Sequence, residues 1–332
     1  MPAEWLRFLK MSSTGDIAKQ VGFRDLPQSM YFQPGAGLEV QATEEPRLVV
    51  SDYLNRNRLA CAILNSTAAG PIAALSDPDF GAVVARATND WLLNEWLTSD
   101  ERLRGALVVT PHDPPMAAVE IRRAGSDHRI THVIFSNPAC LMGHRSLHPI
   151  YEAAADVGIA VCLAATGVLS GQTRGFTALG RPTTIFEYEA SWIFAAQPHL
   201  ISLLSEGTLG LFPELRVMFA GFGVSWLPSV LWKLDAEAYS GELEHPVRLR
   251  GTPSQDVFER VRFVTSFNEF PIDPEALEQF LELLGCDRLV LYGSGHRRGH
   301  DASVDSRLRT LPPQQAKAIA YGNAEAFLLD WM

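Results

Sequence analysis

The stretch Arg288-Leu-Val-Leu-Tyr-Gly-Ser-Gly-His-Arg-Arg-Gly-His300 decides how the rest of the chain is read. Leu289 to Tyr292 form a continuous apolar run after a charged residue, which predicts a short buried strand. Gly293, Ser294 and Gly295 end it, and two histidines and two arginines follow at once. In a parallel α/β protein, sites are built where strands end at their carboxyl termini. A polar, histidine-rich loop there is a candidate site. No carboxylate stands at the strand end itself, and Asp301 comes only after the second histidine.

Working back from this strand, apolar runs and amphipathic segments alternate. Strands are expected at 58–64, 103–109, 131–136, 158–165, 215–220, 261–265 and 288–292. Helices are expected at 48–55, 77–97, 114–124, 146–157, 185–206, 224–238, 274–284, 312–320 and 323–331. Asp79 is the expected N-cap of the second helix, and Pro198 a point of interruption in the fifth. Strict alternation is the mark of repeated βαβ units and a parallel sheet. Eight such units close a TIM (β/α)8 barrel. The expected fold is therefore α/β, a TIM (β/α)8-like barrel whose first strand is weak or missing. Residues 1–46 read as an irregular segment with turn residues Pro27, Pro34, Gly35 and Gly37, and 47–332 as the barrel domain. A doubly wound sheet is the runner-up. The regular units and the lack of an early glycine-rich phosphate loop count against it.

Composition sets further bounds. A formal net charge of −10 argues against nucleic acid as a partner, because phosphate binding needs a basic surface. Cys61, Cys140, Cys162 and Cys286 are far apart and form no C-x-x-C pair. They read as free thiols in a reducing cytoplasm rather than as disulfides or zinc ligands. No apolar run reaches the ~18 residues of a spanning helix. The amino terminus shows no basic segment followed by an apolar one. The expectation is a cytoplasmic protein without a membrane partner.

Several segments carry a family likeness. Asn89-Asp-Trp-Leu-Leu-Asn-Glu-Trp-Leu, followed by Arg102-Leu-Arg-Gly-Ala-Leu-Val-Val, is one. His148-Pro-Ile-Tyr-Glu-Ala-Ala-Ala-Asp-Val-Gly-Ile-Ala-Val is another. Glu206-Gly-Thr-Leu-Gly-Leu-Phe-Pro-Glu-Leu-Arg-Val and Ser225-Trp-Leu-Pro-Ser-Val-Leu-Trp-Lys-Leu-Asp complete the series. From about residue 46 to the end, the chain resembles the amidohydrolase-related family, the aminocarboxymuconate semialdehyde decarboxylase-like metal-dependent hydrolases. The resemblance implies a metal-binding TIM barrel, usually dimeric, that hydrolyses or decarboxylates small carboxylated or aromatic molecules. In that family one divalent metal, usually zinc, lowers the pKa of a bound water and polarises the substrate. The family's ligands are a His-x-His pair at the first strand, a histidine at the fifth and an aspartate at the eighth.

The resemblance carries few of these over. The first histidine of this chain is His112, so no His-x-His precedes it. At the fifth strand Ala164 stands in the ligand place. In the long helix, Tyr188 and Glu189 replace Glu-His; after the sixth strand, Gly221-Phe-Gly replaces a Glu-Gly-Gly or His-Gly-Gly turn. At the eighth, Gly295 stands where the metal-binding aspartate belongs. The expectation is that no metal or other cofactor is held, although the family would use zinc.

Three functional readings follow. The first is a catalytically degenerate barrel, a non-catalytic subunit paired with an active metal-dependent paralogue. The second is an enzyme with a rebuilt, metal-independent site. His296, His300 and Glu189 would then be catalytic, and Arg297, Arg298 and Asp301 would hold the substrate. The third is a small-molecule binding protein using the inherited pocket. The expected partner is a homologous amidohydrolase subunit in a hetero-oligomer, or a second copy in a homodimer. His112, His128, His132, His144 and His148 read as surface or hydrogen-bonded histidines, and Trp91, Trp96, Trp226 and Trp232 as packing residues.

Overall fold

The strand expected at the carboxyl end of the chain is present, and it is the last of a parallel series. The structure is a computed structural model describing residues 46–66, 68–73, 75, 77–136, 138, 140–165, 185–240, 251–265, 270–285, 288–293 and 306–328. The expected irregular segment at 1–46 lies outside them but for its last residue. Strand β1 is Ala62–Leu64, β2 Leu103–Val108, β3 Ile130–Phe135, β4 Ala160–Ala164, β5 Val217–Ala220, β6 Val261–Thr265 and β7 Val290–Tyr292. All pair in parallel with the next strand in sequence, in the order β1 to β7. The described residues form a TIM-like barrel of seven strands, one short of the eight that close it. Among the described residues no strand joins β1 to β7.

Helices fill the crossovers. They are α1 Pro46–Leu48, α2 Ala69–Ala73, α3 Pro78–Trp91, α4 Pro114–Ala124, α5 His148–Val157 and α6 Ile185–Ser205. Then come α7 Thr208–Leu211, α8 Leu227–Ser240, α9 Pro253–Arg260, α10 Pro274–Leu284, α11 Pro313–Lys317 and α12 Asn323–Leu328. The helix starts follow local chemistry. Asp113 accepts from Met116 N and Asp273 from Ala276 N, each with proline in the first turn. The cap of α3 is Asp77, which accepts from Phe80 N, and not the expected Asp79. Pro78 explains the difference: it occupies the first helical position, so the residue before it must be the cap. Helix α6 runs unbroken through Pro198. The strand expected from residue 58 starts only at Ala62, because Arg58 sits at φ 53 in the left-handed region.

Alternation along the strands splits the core in two. Leu103, Leu107, Val133, Phe135, Val161, Leu163, Val217, Phe219 and Phe263 face the helices. Ala106, Val108, Ile134, Ala160, Cys162, Ala164, Met218 and Leu291 form the inner layer, joined by Ile72, Phe327 and Leu328. Each large side chain removed from water contributes about 1.5–3 kcal/mol. A bulge leaves Thr131 unpaired, since Gly105 pairs with Ile130 and Ala106 with His132. It brings His132 onto the inner layer, in register with Ala106 and Ala160.

The carboxyl-terminal helix closes the amino-terminal end of the barrel. Arg216, just before β5, donates to the Phe327 carbonyl. Arg262, the second residue of β6, lies over the Phe327 ring at 4.6 Å. Phe327 itself is 5% exposed.

Candidate active site at the carboxyl ends of the strands

In this fold, chemistry is placed at the carboxyl ends of the strands, so each described end is a candidate position. Past β2, Thr110 is buried and His112 follows. The Nε2 of His112 meets the Ala73 carbonyl at 2.6 Å, which ties the loop after β2 to α2. Past β3, Ser136 is fully buried. At β4 the chain offers Ala164 and Ala165, both buried.

At β5 it offers Ala220 and then Gly221, whose φ of 84° requires glycine. A Cβ at Gly221 would lie 3.1 Å from the Ala165 Cβ, so the turns after β4 and β5 are packed closely together. One backbone bond fastens them, Ala165 N donating to Ala220 O at 2.8 Å, and a second ties the end of β5 to β6, Gly221 N donating to Val264 O at 3.0 Å. Gly223 has φ 68°, so the Gly221-Phe-Gly turn is a backbone device. At β7, Tyr292 is half-buried and Gly293 follows.

The family's metal can be tested against these ends. Alanine and glycine offer no side-chain donor, whereas a structural or catalytic zinc takes three or four protein ligands. No group of three or more His, Cys, Asp or Glu among the described residues could hold an ion. The described residues therefore do not fit a family-type metal. His296, Arg297, Arg298, His300 and Asp301 lie outside the described residues. Glu189 lies on α6, with its side chain outside the description.

The remaining histidines have other duties. His144 accepts from Ser146 N through Nδ1 at 3.2 Å, capping a short turn before α5. His148 packs edge-on against Phe212, with ring centroids 5.1 Å apart. Of the two readings, surface or hydrogen-bonded, His132 takes the second: it is buried inside the barrel, 2% exposed. Its Nδ1 meets the Thr131 hydroxyl at 2.9 Å, and its Nε2 has no partner. Burial depresses its pKa to about 3, so the ring is neutral at physiological pH. The sequence cue was the apolar strand around it, Ile130 to Phe135; the bulge that turns it inward leaves no such mark. Burial also drives the Cys162 thiol far up, which removes it as a nucleophile. Of the tryptophans read as packing residues, Trp96 and Trp226 are buried in the core, and Trp232 is 58% exposed.

Comparison with known proteins places this geometry. Residues 38–329 match the family model described as Amidohydrolase. No curated protein matches the sequence. Among solved structures, 5-carboxyvanillate decarboxylase from Sphingomonas paucimobilis is similar at 23% identity and a TM-score of 0.66, over 84% of this chain and 82% of that one. The 2,6-dihydroxybenzoate decarboxylase from Rhizobium is similar at 17% identity and a TM-score of 0.67, over 85% and 88%. The 5-carboxyvanillate decarboxylase from Novosphingobium aromaticivorans, complexed with manganese, is similar at 19% identity and a TM-score of 0.64, over 84% and 79%.

At these identities the structures establish the shared fold. The manganese complex also corrects one expectation. The sequence reading assigned no cofactor and named zinc as the family's metal, but relatives of the same fold carry manganese, so metal use goes with the family. That expectation rested on Ala164, Gly221, Gly295 and the lack of any histidine before His112, which are facts about ligand positions of this chain and not about the family's metal. The matched family model spans nearly all of the chain and the barrel bears it out: this chain belongs to the amidohydrolase family.

Proposed function

We propose that the chain is a non-catalytic subunit of an amidohydrolase-family assembly acting on a small carboxylated or aromatic substrate. The decarboxylation or hydrolysis takes place in a paralogous, metal-loaded subunit. The observation that carries this reading is the chemistry of the strand ends. Ala164, Ala165, Ala220 and Gly221 present methyl groups and bare backbone where the family resemblance expects converging donors. The scaffold beneath them is nonetheless kept at full packing, with Phe219, Phe222 and Phe263 each no more than 1% exposed. Retention of the barrel with simplified strand ends is the pattern of a subunit kept for assembly. The manganese in similar decarboxylases makes manganese the metal to look for in the assembly. Cys61, Cys140 and Cys162 are free thiols, which suits a reducing cytoplasm. No helix among the described residues is long and apolar enough to cross a membrane.

The test is reconstitution. The chain is purified alone and together with a family paralogue from the same source, and 2,6-dihydroxybenzoate is supplied as a probe with manganese. The reading predicts carbon dioxide release only when the paralogue is present, with a higher rate or stability in the complex. Release by this chain alone, abolished in His296→Ala, would instead establish a rebuilt site around His296, His300 and Glu189.

A further inference from the structure

The loop between β3 and α5 brings a thiol, a hydroxyl and an imidazole into line. Cys140 Sγ lies 3.3 Å from Ser146 Oγ, and Ser146 Oγ lies 2.8 Å from His144 Nδ1. The direction of both bonds follows from a third. The backbone N–H of Ser146 donates to the same Nδ1 at 3.2 Å. A ring nitrogen that accepts from an N–H carries a lone pair and no proton. The Ser146 hydroxyl therefore donates its one hydrogen to His144. Its oxygen then has only lone pairs to offer the thiol, so Cys140 S–H donates to Ser146. The chain runs one way, from thiol to hydroxyl to imidazole, and ends on a base.

The loop itself is held from several sides. Gly143 N donates to Ser202 Oγ of α6 at 3.0 Å, and Thr208 Oγ1 of α7 donates to Gly143 O at 3.4 Å. A Cβ at Gly143 would lie 2.1 Å from the Ser202 carbonyl oxygen, so loop and helix backbones touch there. The buried Tyr151 hydroxyl donates to Met142 O. On this anchored turn His144 and Ser146 are exposed and Cys140 is half-buried, so a reagent can reach the sulfur. The other thiols set the kind of product. Cys61 stands just before β1, at the opposite end of the barrel, and Cys162 is buried within β4. No second thiol among the described residues shares the Cys140 loop to close an internal disulfide.

We propose that Cys140 is a modification site, a thiol that takes up half of a small organic disulfide and holds it as a mixed disulfide. As Sγ attacks, its proton passes to Ser146 Oγ while the Ser146 proton passes to His144 Nδ1. The new Sγ–S bond forms, the S–S bond of the reagent breaks, and the departing thiolate takes the proton from His144. Cys140 is oxidised, the released half of the reagent is reduced to its thiol, and no other oxidant enters. The thiolate is the reactive form, so the relay acts by supplying it below the pH at which a free thiol ionises. The adduct stands at the carboxyl end of the strands. It stands independently of the subunit reading above.

The test treats the full, reduced chain with 2-hydroxyethyl disulfide, a neutral probe, and reads the adduct at Cys140, Cys61 and Cys162 by peptide mass spectrometry. Ser146→Ala breaks the relay and keeps the backbone bond to His144. His144→Asn keeps a capping acceptor and removes the base. At about pH 7 each variant should form the Cys140 adduct about tenfold more slowly than the parent, the effect of one charge-assisted bond. Cys61 should react as in the parent, and Cys162 should stay unmodified. At about pH 10.5, where thiols ionise unaided, the gap at Cys140 should close to about twofold or less. A role in packing alone would keep the gap at both pH values. Modification of Cys162 marks a variant that has lost its fold, and the other variant then decides. No Cys140 adduct in the parent, a folded variant as fast as the parent at pH about 7, or a gap that persists at high pH would overturn the proposal.

Discussion

Asn89 bonds both backbone groups of Val108: its Oδ1 accepts from Val108 N at 2.8 Å and its Nδ2 donates to Val108 O at 2.9 Å. Strand β1 stops at Leu64, opposite Gly105, and so falls short of Val108. The side chain on α3 takes the place of the strand residue that β1 does not supply there. The same Nδ2 also donates to Glu120 Oε1 at 2.9 Å, and Glu120 is paired with Arg123 at 2.6 Å. Asn89→Ala leaves both Val108 groups buried without partners. The expected loss is about 2–4 kcal/mol, read as a lower urea midpoint at unchanged slope. Asn89→Leu, similar in volume, should be no better, because the deficit is in hydrogen bonds.

Buried neutral histidines make the fold sensitive to acid. Burial holds His132 at about 3 and His199 at about 4, against an ordinary value of 6.5. For a base whose folded pKa is depressed, the unfolded chain takes up the proton first. Stability from both residues is therefore complete above pH 6.5 and drains as pH falls towards 4 and then 3. Each contributes a slope of up to about 1.4 kcal/mol per pH unit in that window. Urea unfolding between about pH 6 and 5 should show His132→Leu with a shallower pH dependence than the parent, by close to one proton. An unchanged slope would mean that His132 is solvated.

The seal at the amino-terminal end of the barrel should be worth a measurable amount. Phe327→Ala empties the space beneath Arg262 and removes the ring from the inner layer. Loss of a buried phenylalanine costs about 3–5 kcal/mol. Arg262 already has its pKa lowered to about 10, first by burial and then by Arg288. Removing the ring admits water to it, so the measured loss should fall at the low end of that range.

Thiol reactivity should rank by burial. Cys162 is 1% exposed in β4 and its thiol is pushed far up, so it should resist alkylation until the chain unfolds. Cys61 and Cys140 are half-buried and should label in the native state. Labelling of Cys162 at the rate of Cys140 under native conditions would show that the inner layer is open.

Much of the fold could be read from apolar periodicity, because strands such as 261–265 and helices such as 114–124 and 274–284 carry both pattern and caps. The seven parallel strands of the described residues were legible in the same way, as apolar runs at regular spacing. Features decided by backbone geometry were not. Arg58 in the left-handed region shortens β1, and the bulge at Thr131 buries His132; neither has a compositional signature. Helix α9, Pro253–Arg260, was missed because its apolar face is narrow, Val257 with Pro253 among mostly polar neighbours. At the site, the sequence identified Ala164 and Gly221, which the structure places at adjoining strand ends. It could not foresee the link from Cys140 through Ser146 to His144, which only the folded turn before α5 brings into line.

The most direct measurement is affinity capture of the tagged chain from its native cells, with mass spectrometry and subunit stoichiometry of the recovered complex. The account predicts a second amidohydrolase-family chain at fixed ratio, one that carries the histidine and aspartate ligands and supplies the activity of the complex. Recovery of a stable homo-oligomer that decarboxylates or hydrolyses substrate with no second family chain would contradict it.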